Sequence, residues 1–359
     1  MRAAVCPEQG TVAVTDVPDP ELRAPTDVIL RIRATTICGS DLHLRNGHIP
    51  TPWGFCLGHE YVGEVVEIGG AVSQVRIGDR VVGPAAPWCG SCPTCRRGRI
   101  QRCPRGGVFG SGAAWGDLGG AQAEYLRVPW GDRILSAVPD TIEDGQALTV
   151  GDVLSTGWTA VRRSVHGPGA TVLVLGCGPV GLSAIHTASL YGPSRIVAVD
   201  SVPERLRLAR ALGATHTVGA DEDVAAAIAD LTDGLGADSV IEAAGADAAF
   251  ATATAAVSIG GTIAVVGIHG APVEVPMADL LTKNVSIWAG LGDLGRMDEL
   301  LALIAAGRLD PAPMFTHHLP FDRIEDAYRM MDAGANGMVK PLITSITPGR
   351  RGAGIRLRS

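Results

Sequence analysis

The chain has 359 residues, 46% hydrophobic and 19% charged, with a net charge of −7 at neutral pH. That length supports two domains with ample cores, and the negative balance argues against a general nucleic-acid or anionic-membrane surface. Met1-Arg2-Ala3-Ala4-Val5-Cys6-Pro7 lacks the apolar core of a signal peptide, so a cytoplasmic protein with its eight cysteines reduced is expected.

From Met1 to about Leu135 short strands alternate with turns. Val28, Leu30 and Ile32 alternate with Ile29, Arg31 and Arg33, and Val62, Val65, Val66 and Ile68 form another strand before Gly69-Gly70. This is an all-β region, expected to form a partly closed barrel. Two special segments interrupt it: Cys38-Gly39-Ser40-Asp41-Leu42-His43 follows a strand, and Gly58-His59-Glu60 precedes one. A loop from Pro84 to Gly120 then carries Cys89, Cys92, Cys95 and Cys103, spaced by two, two and seven residues. That spacing can bring four thiolates around one tetrahedral ion. The final Cys103-Pro104 also fits a ferredoxin-like run, which leaves an iron–sulfur cluster as a second reading. A four-cysteine zinc has no open position, so it would staple the loop and perform no catalysis.

Gly151-Asp152-Val153-Leu154-Ser155-Thr156-Gly157 places a carboxylate where it could cap a helix starting near Thr156 or ligate a metal. Next comes an apolar run, Thr171 to Leu175, then Gly176-Cys177-Gly178-Pro179-Val180-Gly181 and a helical pattern through Leu182, Ile185, Ala188 and Leu190. Strand, tight glycine turn and helix in that order form a phosphate cradle, with unpaired N–H groups at the helix start facing the anion. A second strand ends at Asp200, about twenty residues on, where a ribose hydroxyl needs an acceptor. No charged side chain occurs between Ser164 and Ser194, but glycines and prolines interrupt the run. A buried strand and helix is expected there, not a membrane span.

Strands are predicted at Val172–Leu175, Ile196–Asp200, Thr215–Val218, Ser239–Glu242, Ile263–Val266 and Val285–Trp288. Helices are predicted at Val180–Tyr191, Pro203–Leu212, Val224–Asp233 and Ala248–Ser258, with Gly213-Ala214 and Gly260-Gly261 as helix stops. Six strands with crossover helices give an α/β doubly wound parallel sheet. After Gly295 an amphipathic helix through Leu300, Leu301, Leu303 and Ile304 ends at Gly307, and another spans about Ile324 to Met331. Arg350, Arg351, Arg356 and Arg358 make a basic tail, expected to be solvated and disordered.

Outside the cysteine loop, Cys38, His59, Glu60 and Asp152 are the candidate metal ligands. A thiolate, an imidazole and a carboxylate would leave a zinc ion one position for a substrate oxygen. On these motifs, the cysteine loop and the Gly176 to Asp200 fingerprint, the chain resembles the zinc-dependent medium-chain alcohol dehydrogenases from about Met1 to Thr344. The resemblance implies a GroES-like β-barrel catalytic domain over 1–153 with an inserted structural-zinc loop at about 85–105. It further implies a Rossmann domain over 154–293 and a segment over 294–359 that rejoins the catalytic domain, its basic tail spanning 348–359.

The resemblance implies two zinc ions per chain. Cys38, His59 and Asp152 would hold the catalytic one, with Glu60 an exchangeable ligand or a nearby carboxylate. Cys89, Cys92, Cys95 and Cys103 would hold the structural one. Ser40 would take the substrate proton and pass it to His43 and solvent. Cofactor contacts are expected from Gly176, Gly178, Pro179, Val180, Gly181, Asp200, Arg205, Thr156, Val266 and Gly267, with NAD preferred to NADP because Asp200 would face the 2′-phosphate. Ala85, Trp115, His269 and Leu291 are the expected pocket residues. The implied reaction is hydride transfer between NAD(H) and an alcohol/carbonyl pair, preferably a secondary alcohol or polyol and its ketone. The expected assembly is a homo-oligomer, a tetramer before a dimer, with no nucleic-acid or membrane partner. The remaining alternatives are a nucleotide-binding iron–sulfur or thiol redox sensor and a zinc-independent NAD(P)H reductase of the same superfamily.

Overall fold

The computed structural model describes residues 1–334 and 337–344; the arginines of the basic tail lie outside them. Two compact units result. One comprises Met1–Gly151, Met297–Ala305 and the described residues from Phe315 onward, and the other Asp152–Arg296 with Ala306–Met314.

In the first unit, β1 (Arg2–Cys6), β2 (Ala13–Asp16) and β4 (Phe55–Cys56) form a small sheet in the order β2-β1-β4. The larger sheet contains β3 (Val28–Thr35), β5 (Tyr61–Ile68), β6 (Arg80–Gly83), β7 (Tyr125–Val128), β8 (Ser136–Ala137), β15 (Phe315–Pro320) and β16 (Lys340–Thr344). Its order among the described residues is β15-β16-β3-β5-β6-β8, with β7 on β3. The β3–β5 ladder slips register at Ile29/Leu30 and at Ile32/Ala34; such bulges bend and twist a strand pair, which curls this sheet toward a barrel. β16 pairs with β3 through Ile343 and Thr35, so the C-terminal segment completes the β unit.

The second unit is a six-stranded parallel sheet in the order β11-β10-β9-β12-β13-β14: β9 (Thr171–Leu175), β10 (Arg195–Asp200), β11 (His216–Gly219), β12 (Ala237–Glu242), β13 (Val257–Val265) and β14 (Ser286–Ala289). Parallel strands covered on both faces read as continuous apolar runs, and every residue of β9 is buried. Leu173, Val197, Val240 and Ile263 meet in its core. The strand order reverses between β9 and β12, the switch point at which doubly wound sheets bind ligands.

One predicted boundary fails. Gly260-Gly261, read as a helix stop, lies inside β13, which begins at Val257 directly after the helix Asp247–Ala256. Gly260 takes φ +75°, and the β12–β13 register shifts between Ala237 and Ser239. The glycine pair therefore marks an irregular strand start, which composition alone does not distinguish from a helix end.

Candidate active site and metal centres

The β3–β5 ladder runs out at Thr35 opposite Tyr61, and the Thr35 hydroxyl donates to the Glu60 carbonyl at 2.8 Å. The chain leaving β3 toward Cys38 and the chain entering β5 through His59 and Glu60 consequently emerge side by side. Ligand atoms of Cys38, His59 and Glu60 all lie within 4.8 Å of one another, His59 and Glu60 being buried.

Two residues not singled out from sequence organise this cluster. Asp41, fully buried in the helix Gly39–Arg45, accepts the Cys38 N–H at 2.9 Å and stands 3.3 Å from His59 Nδ1. It also accepts from Gln122 Nε2 at 3.2 Å. A carboxylate that hydrogen-bonds one imidazole nitrogen orients the other toward a metal; Asp41 is close enough for that role on a small adjustment of the pair. That other nitrogen, Nε2, is 3.3 Å from Ser40 Oγ. Lys340, fully buried in β16, holds Glu60 Oε1 at 2.7 Å. The signal for Asp41 was its position three residues after Cys38, where an acid bonds back to the N-cap. Lys340 left no local signal, being 280 residues from Glu60.

Asp152 precedes the helix Val153–Ser164, but its side chain makes no cap hydrogen bond there, so the capping role fails. Thr156 Oγ1 lies 3.4 Å from Asp152 Oδ1. Ala85 and Trp115, expected from the sequence to line a pocket, are respectively buried and half-buried in the first unit. Ala85 is held by both backbone groups, its N–H to Gly151 and its carbonyl to Phe109. The Arg102 guanidinium covers the Trp115 ring at 4.4 Å from its centroid. In the second unit Leu291 is exposed, whereas the His269 ring sits on Glu242.

His43 and His48 face each other Nδ1 to Nδ1 at 3.3 Å, His43 half-buried and His48 exposed. Burial, and then the neighbouring His48, hold His43 below its ordinary 6.5, so it is neutral at pH 7.

The four thiols of the 89–103 loop are all buried, with sulfurs within 4.8 Å of one another. Cys103 Sγ is 3.6 Å from Cys89 Sγ and 3.9 Å from Cys92 Sγ. Four sulfurs at the usual zinc distance stand about 3.8 Å apart along a tetrahedron's edges, so the set fits one such ion. An iron–sulfur cluster spreads its thiolates over several irons and matches these separations less well. The Cys92 and Cys95 N–H groups point at the Cys89 and Cys92 sulfurs at 3.3 and 3.4 Å. Burial opposes ionisation of Cys89, but the hydrogen bonds from Ser91 and Cys92 outweigh it and bring the thiol to about 6. Burial and the neighbouring Cys92 push Cys95 up to about 12. A cation among the sulfurs would offset that cost and let Cys95 ionise.

In the second unit, Gly176 turns at φ +91° and a side chain on Gly181 would lie 1.8 Å from the Gly176 carbonyl oxygen. Beside Gly178 nothing stands within 4 Å, which leaves backbone open to a pyrophosphate. The helix Pro179–Ala188 begins there with Pro179 and Val180 in its first turn. Asp200 ends β10 and accepts from the N–H groups of Cys177 at 2.8 Å and Val202 at 2.9 Å. Arg205 approaches it at 3.7 Å. The Val266 and Gly267 N–H groups donate to the Glu242 carbonyl.

Both units match known families: an alcohol dehydrogenase GroES-like domain over residues 24–140 and a zinc-binding dehydrogenase domain over 179–306. A "Probable zinc-binding alcohol dehydrogenase" of Mycobacterium tuberculosis is 40% identical over 332 residues, 91% of this chain and 84% of that protein. The alcohol dehydrogenase TADH from Thermus sp. ATN1 superposes with a TM-score of 0.91 at 40% identity, covering 96% of this chain and 99% of that one. A protein of Sinorhizobium meliloti described as a "putative zinc-binding dehydrogenase", solved with NADP, gives a TM-score of 0.85 at 30% identity, covering 96% of this chain and 98% of that one. The chain belongs to the zinc-type alcohol dehydrogenases of the medium-chain dehydrogenase/reductase family. It is therefore an oxidoreductase of that family, and neither the redox-sensor nor the zinc-independent reading is favoured.

Proposed function

We propose that this protein transfers a hydride between NAD(H) and a secondary alcohol or its ketone, at a zinc held by Cys38, His59 and Asp152. The observation that carries the reading is Ser40 Oγ at 3.3 Å from His59 Nε2, a hydroxyl beside the nitrogen proposed as a zinc ligand. A purely structural site has no need of such a proton carrier.

Asp152 is assigned because it is bonded to Gly151, whose carbonyl accepts the Ala85 N–H at 2.9 Å. Gly83, two residues before Ala85, pairs with Tyr61, the neighbour of Glu60. The chain thus reaches Asp152 from a point tied to the strand ends that present His59. Lys340 occupies one oxygen of Glu60, which favours Glu60 as a nearby carboxylate over a permanent ligand.

Zinc, when bound, supplies a Lewis acid that favours loss of a hydroxyl proton and polarises a carbonyl in reverse. Ser40 receives that proton at Oγ and His43, neutral at pH 7, carries it outward. Asp200 accepts from ribose hydroxyls and repels a 2′-phosphate, which supports NAD even though one relative was solved with NADP. Ala85 leaves room for a second substituent on the reacting carbon, with Trp115, His269 and Leu291 as further pocket candidates. We place the enzyme in the cytoplasm; no helix among the described residues is long and apolar enough to cross a membrane.

The test is a panel of primary and secondary alcohols, polyols and ketones with NAD or NADP, followed by nicotinamide absorbance. Turnover only with primary alcohols, or equal specificity constants for both cofactors, would overturn the corresponding half of the assignment.

A further inference from the structure

Glu242 ends β12 as a fully buried carboxylate. Its Oε1 accepts the N–H groups of Ala244 at 2.9 Å and Gly245 at 2.7 Å, and its Oε2 accepts from His269 Nε2 at 3.1 Å. Its main-chain carbonyl takes the N–H groups of Val266 at 2.9 Å and Gly267 at 3.1 Å. One residue therefore holds both the loop after β12 and the loop after β13. The two loops touch so closely that a side chain on Gly267 would lie 2.3 Å from the Gly245 nitrogen and 2.6 Å from Glu242 Oε2.

His269 is the only side chain among these donors. It is 13% exposed, with the Phe250 ring edge-on and Asp247 Oδ1 3.7 Å from Nδ1, too long for a hydrogen bond. A buried carboxylate that loses a donor bears the cost of desolvation unrelieved, so the loops' arrangement depends on His269.

The place of these loops gives the arrangement its use. A doubly wound sheet binds a dinucleotide outside the carboxyl ends of its strands, one mononucleotide to each half. The glycine loop and Asp200 belong to the half built from β9 to β11; β12 to β14 form the other, at the nicotinamide end. We propose that the Glu242–His269 hydrogen bond is a buried cross-link that pre-orders the nicotinamide-side rim, making His269 a positioning residue for that half of the cofactor. This rests on the NAD(H) reading above.

Calorimetric titration of the full-length protein with NADH and with ADP-ribose, which lacks the nicotinamide, separates this role from a general structural one. His269→Ala is expected to weaken NADH about tenfold, the worth of one hydrogen bond to a charged group, and to leave ADP-ribose within about twofold. His269→Gln, whose amide can donate to Glu242, should restore most of the loss. Equal weakening of both ligands, or no change in either, overturns the cross-link. Wild-type protein that binds neither ligand overturns the cofactor reading and the cross-link's role with it. Should His269→Ala fail to fold, His269→Phe, which fills the ring's place without a donor, takes its part: weakening of NADH alone supports the proposal, and equal loss of both ligands or no change in either overturns it.

Discussion

Ser40 and His43 sit on one short helix, three residues apart, in surroundings that differ as their two proposed roles require. Ser40 is against the His59 imidazole, and His43 is half-buried beside the exposed His48. Ser40→Ala is expected to lower turnover by roughly 100-fold to 10,000-fold, the usual contribution of a general acid–base position, with zinc content unchanged; steady-state kinetics with metal analysis checks both. Because burial and His48 lower the pKa of His43, its proton-accepting form persists to pH below 6.5 and is lost as pH falls further. Alcohol oxidation should therefore decline on an acid limb below the ordinary histidine value. His48→Ala removes one of the two causes, so that limb should move to higher pH in a pH–rate profile. Asp152→Ala should cost the catalytic zinc and activity, and far less in stability, because the carboxylate does not cap its helix.

At the scale of elements, two loops hold their shape in different ways. The 89–103 loop gathers four sulfurs, and burial with the neighbouring Cys92 holds the Cys95 thiol protonated unless a cation such as zinc joins them. Cys95→Ser should release that zinc and lower Tm on the order of 5 °C or more, read by metal analysis and calorimetry, since structural metal binding is folding free energy. The glycine loop is instead closed by Asp200, through the Cys177 and Val202 N–H groups. Unit charges about 4 Å apart repel by roughly 4 kcal/mol at an effective dielectric near 20. Asp200→Gly should therefore raise the NADP-to-NAD ratio of specificity constants, by about 100-fold after solvent screening. The same change removes the tie on Cys177, so absolute efficiency with NAD should fall as well.

For the whole molecule, the edge strand β14 is the feature that calls for a partner. It bonds to β13 on one side and is terminal in the sheet order, and its segment exposes Met277, Leu281, Ile287 and Leu291. An open edge with apolar neighbours is an association site unless covered. A second copy of the chain pairing there about a two-fold axis would continue the sheet and cover those side chains, as the homo-oligomer expected from the sequence resemblance would require. Ile287→Asp is expected to shift the protein to a smaller species in sedimentation velocity while far-UV circular dichroism stays unchanged.

The features legible in the sequence are those whose partners lie within a turn or two. Cys89, Cys92, Cys95 and Cys103 converge within one loop, the glycine fingerprint is contiguous, and apolar runs identify the parallel strands because both faces of that sheet are buried. The resemblance to a known family extended this to the ligand set. What depended on tertiary structure lies at long range. Cys38 and His59 meet because the β3–β5 ladder ends at Thr35 and Tyr61, Lys340 reaches Glu60 through β16, and His269 turns to Glu242 rather than standing free. Periodicity records which face of an element is buried and not what covers it. Likewise, the two glycines at 260–261 read the same whether a helix ends or a strand begins irregularly, because both need a backbone free of side-chain restraint.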